Sequence, residues 1–158
     1  MDNHACLSRA HLLYLASHNL QLLIEQKIKA HNIGFNSWLI LVCIRNEAEK
    51  LTQRQLAQRL GLKDPSVGEL VKHLMKLKFL ARAIDTHDRR KYAIKITEQG
   101  IVICNEIHAM LAPLFSHVFD LPAAELQQFD AILENIRAVT KASIAQEGDV
   151  GEIPPTGW

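Results

Sequence analysis

The amino-acid sequence predicts a mainly α-helical protein with one small β-hairpin, and three features support this fold class. Apolar residues return every three or four positions over most of the chain, as in amphipathic helices. Two short helical segments within residues 52–77 are joined by a tight turn at Gly61. Period-two alternation then replaces helical spacing in residues 79–84 and 92–96, as is typical of a hairpin. This order predicts a helix-turn-helix followed by a hairpin wing.

The first predicted helix runs from about residue 8 to residue 30. Its apolar face is formed by leucines at four helically spaced positions, Leu12, Leu15, Leu22 and Leu23. Charged residues are sparse along it, so we expect its apolar surface to be covered on more than one side, by a second subunit. His11, Tyr14 and His18 share one side of this helix. Packing and interface polarity explain these three residues, and contact with a ligand is the alternative.

A turn at residues 31–34 separates this helix from a second one, predicted over residues 37–49 with Asn36 as its cap. The middle of the second helix, residues 38–44, is apolar on all sides, so we expect this helix at the centre of the protein. Trp38 is interpreted as a core residue, and a pocket wall is the alternative.

Helix-start chemistry marks both helices of the predicted helix-turn-helix. Thr52 and Gln55 have the spacing of a capping box, and Gly61 is expected to end that helix. Asp64 is the expected cap of the next helix, with Pro65 at its first helical position. One side of that helix is apolar, and the other suits a DNA major groove because it carries small, polar and basic residues. Those residues are Pro65, Ser66, Gly68, Glu69, Lys72, His73 and Lys76.

Charge is divided unevenly along the chain. Between Lys50 and Lys95 there are twelve Lys and Arg residues against four Asp and Glu, whereas the remainder has six against thirteen. The net charge of +1 therefore conceals a basic region that coincides with the helix-turn-helix and with the polar hairpin connection, residues 85–91. Such a region favours a polyanionic partner, and the helix-turn-helix makes double-stranded DNA the expected one.

Two long helices are expected after the hairpin, together covering about residues 98–146. Thr97 is the expected cap of the first, and Pro122 is expected to open the second. A stripe on the second has the spacing of helix–helix packing: Phe129, Ile132, Ile136 and Val139. Residues 148–158, rich in Gly and Pro, predict a flexible tail, so residues 1–147 are expected to form a single domain.

The chain resembles the MarR family of bacterial transcriptional regulators over about residues 8–145. The most specific motifs are Leu80-Ala81-Arg82, Asp88-Arg89-Arg90 and Ile96-Thr97-Glu98-Gln99-Gly100, and Leu51-Thr52 with Leu56-Ala57 matches the first helix-turn-helix segment. Two positions depart from the family pattern. Lys78 stands where members usually have Gly, and Gly68-Glu69 stand where they often have Thr or Ser followed by Arg. Glu69 is therefore interpreted either as an acceptor for a cytosine amine or as a partner of Lys72 or His73.

The resemblance implies a homodimer built from the first and the last two helices, with a winged helix-turn-helix over about residues 36–97 in each subunit. The second helix of that motif is expected in the major groove and the wing in the adjacent minor groove. The implied DNA contacts are Thr52, Arg54, Pro65, Ser66, Gly68, Glu69, Lys72, His73, Lys76, Arg89, Arg90 and Lys91, with Asp88 orienting Arg90.

The resemblance also implies a repressor that a small-molecule effector releases from its operator, the effector being an aromatic or other organic acid. Five residues near the junction of the dimerisation and DNA-binding parts are the expected effector contacts: His11, Tyr14, His18, Trp38 and Arg82. For Arg82, an ion pair with Asp85 or Asp88 is the alternative.

The histidines and cysteines of the chain leave two other regulatory functions open. A metal sensor using His4, Cys6 and His11 is an alternative, although Ala112 cannot be a ligand one turn after His108. A redox sensor using Cys6 is another. No nucleophile–base pair, phosphate loop or paired carboxylates predict an enzyme, and no cofactor is expected. Scattered cysteines favour a reducing cytoplasm, and neither a signal peptide nor an apolar run of membrane-spanning length is evident.

Overall fold

The computed structural model describes residues 3–46, 51–84 and 92–147, and over these residues it contains six α-helices and three β-strands. The helices are α1 (Asn3–Ile28), α2 (Phe35–Asn46), α3 (Gln53–Leu60), α4 (Asp64–Lys76), α5 (Glu98–Val118) and α6 (Ala123–Glu147). The strands are β1 (Leu51–Thr52), β2 (Leu80–Ile84) and β3 (Tyr92–Ile96). The predicted mainly α-helical class with a β-hairpin wing is confirmed.

The sheet has three antiparallel strands in the order β1-β3-β2. In the hairpin, Leu80 pairs with Ile96 and Ala83 with Ala93, as the period-two pattern predicted. The third strand, β1, was not predicted, because two residues are too short to show alternation. It pairs Leu51 with Ile94 and so joins the start of the helix-turn-helix to the hairpin.

The chain divides into two compact units, Met1–Leu114 and Phe115–Trp158. In the first unit, α2, α3, α4 and the sheet enclose a core of buried aliphatic side chains that includes Ile40, Leu41, Leu56, Val67, Leu74 and Leu80. The end of α1 adds Ile24 and Ile28 to the buried residues, and α5 adds Ile103 and Ile107. In the second unit, the Phe119 ring lies 6.2 Å from that of Phe129, between centroids.

Two predicted helix starts, those of α1 and α2, differ from the observed ones. Helix α1 begins at Asn3 and ends in a 3-10 turn over Lys29–His31, and Asn32 then adopts a left-handed conformation with φ of 57°. Helix α2 begins at Phe35, so Asn36 lies inside its first turn and is not the cap. Instead, the Gly34 carbonyl accepts the N–H of Trp38 at 3.0 Å.

The cap prediction for α4 was also wrong by one residue. Helix α4 begins at Asp64, and Lys63 occupies the cap position without a side-chain hydrogen bond. The Asp64 carboxylate accepts from Gln53 instead, so a neighbouring helix competes for the oxygen that would otherwise cap α4. Pro65 remains in the first turn, where its missing N–H is tolerated.

The junction between the hairpin and α5 explains the Thr-x-x-Gly motif. The Thr97 hydroxyl donates to the Lys78 carbonyl at 2.7 Å and accepts the N–H of Gly100 at 3.0 Å, so it caps α5 as predicted. A Cβ at Gly100 would overlap the carbonyl oxygen of Phe79. Gly100 thus lets the first turn of α5 lie directly against the backbone that leads into β2. Lys78, immediately before Phe79, has a left-handed φ of 63°.

Helix α5 has, among the described helices, the length and apolar composition that a membrane span requires. Core helices of soluble proteins often have the same length and composition. Helix α5 buries Ile103, Ile107 and Leu111 on one side, as a core helix does.

Candidate nucleic-acid interface

Local hydrogen bonds fix the geometry of the helix-turn-helix formed by α3 and α4. The N–H of Thr52 donates to Gln55 Oε1 at 2.8 Å, and the N–H of Gln55 donates to Thr52 Oγ1 at 3.3 Å, which is the predicted capping box. Gly61 ends α3 in a left-handed conformation, with φ of 64°. Thr52, an expected DNA contact, therefore has its hydroxyl and its N–H engaged in starting α3.

A second set of contacts holds α4 against α3. Gln53 Nε2 donates to Asp64 Oδ1 at 2.8 Å and to the Asp64 carbonyl at 3.2 Å. Gly68 is buried, and a Cβ there would lie 3.0 Å from Gln53 Nε2. Gly68 therefore does not lie on the exposed face where the sequence placed it, because its missing side chain makes room for Gln53. The sequence offered no signal for Gln53, since its role depends on a neighbouring helix.

The outer face of α4 is open to solvent. Its exposed residues are Pro65, Ser66, Glu69, Lys72 and Lys76, and Arg54 is exposed on α3. Lys72 Nζ lies 2.7 Å from Glu69 Oε1, and their side chains are 68% and 74% exposed. Pairing with Lys72, one of the two interpretations of Glu69, is therefore observed. A helix with this unobstructed face has the dimensions to enter a major groove about 12 Å wide.

His73 has a different environment from the other predicted DNA contacts on α4. Its ring is half-buried, and Nε2 lies 3.1 Å from the carbonyl oxygen of Asn32. A carbonyl oxygen only accepts, so Nε2 carries the proton and donates. The bond joins the middle of α4 to the turn that ends α1. A sequence separation of 41 residues puts it beyond any local pattern.

The wing is described only in part. Strands β2 and β3 place Arg82 opposite Ile94, and the Arg82 side chain is exposed. The expected wing contacts, Asp88, Arg89, Arg90 and Lys91, lie outside the described residues.

The expected effector residues lie on three elements of the structure: three on α1, one on α2, and Arg82 on β2. On α1, His11, Tyr14 and His18 are exposed, and the Tyr14 and His18 rings stack with centroids 5.8 Å apart and planes 7° apart. On α2, Trp38 is half-buried, with its ring 5.6 Å from that of Phe35. Thus the structure brings Tyr14 and His18 together and gives Trp38 a separate aromatic neighbour.

A cleft of about 450 Å³ lies at the end of α1 and the turn that follows it. It is lined by Leu22, Glu25, Gln26, Lys29, Asn32, Ile33 and Gly34. None of the five expected effector residues lines this cleft. The Asn32 carbonyl that bonds to His73 belongs to one of its lining residues.

Cysteine and metal chemistry have little support in the described part of the chain. Burial raises the pKa of the Cys104 thiol, and the Arg45 guanidinium opposes part of that rise. A buried neutral thiol is a poor nucleophile, so Cys104 is a structural residue. Cys6, the expected redox candidate, is half-buried in the first turn of α1. Within residues 3–46, 51–84 and 92–147, no group of three or more His, Cys, Asp or Glu residues is arranged to hold a metal ion.

Comparison with known proteins agrees with this geometry. The model of the MarR family matches residues 31–91, which run from the turn before α2 to the hairpin connection. The transcriptional regulator SarZ of Staphylococcus haemolyticus is 28% identical over 125 residues, covering 79% of this chain and 81% of SarZ.

Two solved structures share the fold. The Staphylococcus aureus MepR–DNA complex superimposes with a TM-score of 0.73 and 23% identity, covering 84% of this chain and 97% of MepR. CouR from Rhodococcus jostii RHA1, bound to p-coumaroyl-CoA, gives a TM-score of 0.73 and 24% identity, covering 79% of this chain and 88% of CouR.

The region that the family model matches contains α2, β1, the capped helix-turn-helix and β2. Strand β3 and the Thr-x-x-Gly junction follow directly after it. SarZ extends the likeness into the long flanking helices. Together these likenesses support a winged helix-turn-helix transcriptional regulator of the MarR family.

Proposed function

We propose that this protein is a homodimeric repressor that binds an operator in double-stranded DNA and is released by a small organic acid. The observation that carries the proposal is the exposed outer face of α4, which lies within the basic region and is fixed by two sets of contacts to α3. Residues 1–147 act as one regulatory unit in the cytoplasm, with residues 148–158 as a tail. The protein has no catalytic role.

Dimerisation follows from apolar side chains that the chain leaves exposed. Leu7, Leu12 and Tyr14 on α1 are exposed, as are Ile132, Val139 and Ile144 on α6. A monomer seldom exposes so much apolar surface without a partner. A second copy covers these helices in an obligate interface of more than about 2,000 Å². Two α4 helices then contact half-sites one turn of DNA apart, roughly 34 Å.

In the DNA complex, α4 enters the major groove and the hairpin connection enters the minor groove. The MepR–DNA complex supports this arrangement because its fold is the same. Arg90 enters the minor groove, where A·T-rich sequence focuses negative potential, and Asp88 orients it by a charge-assisted hydrogen bond. Arg89 contacts phosphate and adds to affinity without selecting sequence.

The effector is an aromatic or other organic acid. CouR was solved with p-coumaroyl-CoA, the coenzyme A thioester of an aromatic acid, and the likeness to CouR supports the aromatic part of this class. His11, His18 and Arg82 supply donors for the acid, and Tyr14 and Trp38 supply apolar walls. Metal sensing and oxidation of Cys6 are the alternatives. Metal analysis of the purified protein tests the first, and thiol titration before and after peroxide tests the second.

The operator experiment uses the full chain and fluorescent duplexes that tile the DNA beside its own gene. One duplex should bind in the nanomolar range and compete with unrelated DNA at physiological salt. Arg90→Ala should weaken that binding by about 1–3 kcal/mol and relax the flanking A·T preference. Asp88→Ala decides the orienting role, because loss of a negative charge alone predicts tighter binding, whereas loss of orientation predicts weaker binding. Equal affinity for all duplexes would contradict an operator-specific function.

The effector experiment adds aromatic and aliphatic acids to the protein–operator complex. A releasing acid should act less well on His18→Ala and Trp38→Ala, whose operator affinity should stay within a few-fold of the original. If both variants lose DNA binding altogether, these residues are structural and the effector site lies elsewhere.

A further inference from the structure

We propose that Glu69 and Lys72 act as one unit that reads a single G·C base pair in the major groove. This inference rests on the proposed binding of α4 to DNA and names one base pair that the helix selects. The pair lies in the middle of the exposed face of α4, and both side chains are mostly exposed. The other carboxylate of α4, Asp64, is held by Gln53, so Glu69 is the outward-facing acid of this helix.

The structure presents the two groups as a donor and an acceptor side by side. Lys72 Nζ and Glu69 Oε1 are 2.7 Å apart. An ammonium has three donors and a carboxylate about four acceptor sites, so one mutual hydrogen bond leaves further capacity on both groups. The pair can therefore contact DNA without separating, and its side chains lose little further conformational entropy on binding.

The spacing of this pair matches the edge of a base pair. In a G·C pair, guanine O6 and cytosine N4 are joined by a hydrogen bond of about 2.9 Å, and both atoms face the major groove. With Lys72 over O6 and Glu69 over N4, the ammonium donates to guanine and the carboxylate accepts from cytosine. The four atoms then form a closed arrangement in which each donor meets an acceptor.

An A·T pair also offers a neighbouring donor and acceptor, adenine N6 and thymine O4, so the flanking atoms decide the preference. Beside O6, guanine N7 gives the ammonium a second acceptor. In A·T, N7 instead flanks the amine and would repel the carboxylate, and the thymine methyl lies beside the ammonium. The pair therefore favours G·C over A·T.

Charge explains why the two residues must act together. A lone carboxylate facing DNA is repelled by phosphates, whereas Glu69 neutralised by Lys72 brings no net charge to the interface. The pair accordingly contributes to sequence preference and little to overall affinity. A surface ion pair without a DNA role would contribute little to stability and nothing to sequence preference.

The experiment selects duplexes from a randomised DNA pool with the full-length protein and with four variants. Glu69→Ala removes the acceptor, the double variant Glu69→Ala/Lys72→Ala removes the pair, and Glu69→Lys/Lys72→Glu reverses it while keeping the charge. Lys76→Ala is the matched control, because it removes an exposed cation from the same helix. Thermal unfolding checks that each variant folds.

The original protein should enrich a G·C pair at one position of each half-site by about tenfold or more over the other pairs. Glu69→Ala and the double variant should reduce this preference below about threefold. The reversed pair should exchange guanine and cytosine between the strands at that position. Lys76→Ala should bind all sequences more weakly with the same preferences.

An unchanged base preference in Glu69→Ala would overturn the inference while leaving operator binding intact. A reversed pair that keeps the original orientation would do the same. If the reversed protein does not bind, Glu69→Ala decides the matter, because it introduces no new charged side chain into the interface. If the original protein enriches no sequence at all, the proposed operator function fails and the base-pair inference fails with it.

Discussion

The lobe formed by α2, α3, α4 and the sheet differs from the long helices in how far its apolar side chains are buried. In the lobe, Leu74 is fully buried by neighbouring elements of the same chain. On α1, Leu12 is 68% exposed, and on α6, Ile144 is 69% exposed. The lobe thus completes its own core, whereas parts of the long helices carry apolar surface that this chain does not cover.

Charge divides the molecule in a parallel way. The basic excess lies between Lys50 and Lys95, and the acidic excess lies in the rest of the chain. A region with a fully buried core and a basic surface is suited to binding a polyanion. Helices with exposed apolar faces are suited to packing against another protein surface. The following predictions test this division, beginning with the largest expected effect.

Ile136→Asp tests whether the stripe on α6 is an interface between subunits. A carboxylate buried without a partner costs several kcal/mol, so the variant should be monomeric and should bind operator at least about 100-fold more weakly. Light scattering and fluorescence anisotropy measure the two effects. Gln128→Asp, an exposed polar position on the same helix, should change neither. A dimeric Ile136→Asp protein would exclude this stripe from the interface.

Leu74→Ala and Leu12→Ala compare the lobe with the long helices directly. Leu74→Ala leaves a cavity in the lobe and should lower the free energy of unfolding by about 2–5 kcal/mol, with the dimer dissociation constant of the folded protein little changed. Leu12→Ala should instead raise that dissociation constant. Urea unfolding and sedimentation over a dilution series separate the effects. The opposite pattern, with Leu74 controlling dimerisation, would contradict the comparison.

Gly100→Ala tests the close approach where the lobe meets α5. The added Cβ would overlap the Phe79 carbonyl oxygen, which belongs to backbone and cannot rotate away. We expect a loss of about 1–3 kcal/mol in the free energy of unfolding, although alanine is the better helix former. Gly34→Ala is the control, because its Cβ would meet no atom within 4 Å. Equal stability of the two variants would show that the junction has room to relax.

Local chemistry made the lobe the more predictable region. The capping box of Thr52 and Gln55, the stop at Gly61 and the cap at Thr97 each depend on residues close in sequence, and each was found as predicted. The prediction was wrong where two distant segments compete for one group. Asp64 bonds to Gln53 instead of capping α4, and Gly68 is buried beneath the same side chain.

The sequence likewise predicted the parts of the candidate site that depend on local spacing, but not those that depend on contacts between distant segments. Helical spacing identified the exposed face of α4, because burial of its apolar side leaves the other side in water. It could not place His73, whose partner is a carbonyl in the turn after α1. The strand β1 was missed because its pairing with β3 is a tertiary contact of two residues.

Lys78→Gly carries the smallest expected effect and tests the same junction from the other side. Lys78 adopts a left-handed φ of 63°, which glycine tolerates without the clash between Cβ and backbone that other residues meet. Relief of this strain outweighs the extra freedom that glycine gives the unfolded chain, so we expect a gain of about 0.5–1 kcal/mol in the free energy of unfolding. Operator affinity and the dimer dissociation constant should not change, since the substitution keeps the backbone of this turn, including the Lys78 carbonyl that accepts from Thr97. Thermal unfolding at several protein concentrations measures the gain. Lys76→Gly, at the last residue of α4, is the control and should lose stability by up to about 1 kcal/mol, because glycine is a poor helix former. A loss of stability in Lys78→Gly would mean that the lysine side chain stabilises this turn by more than its backbone strain costs.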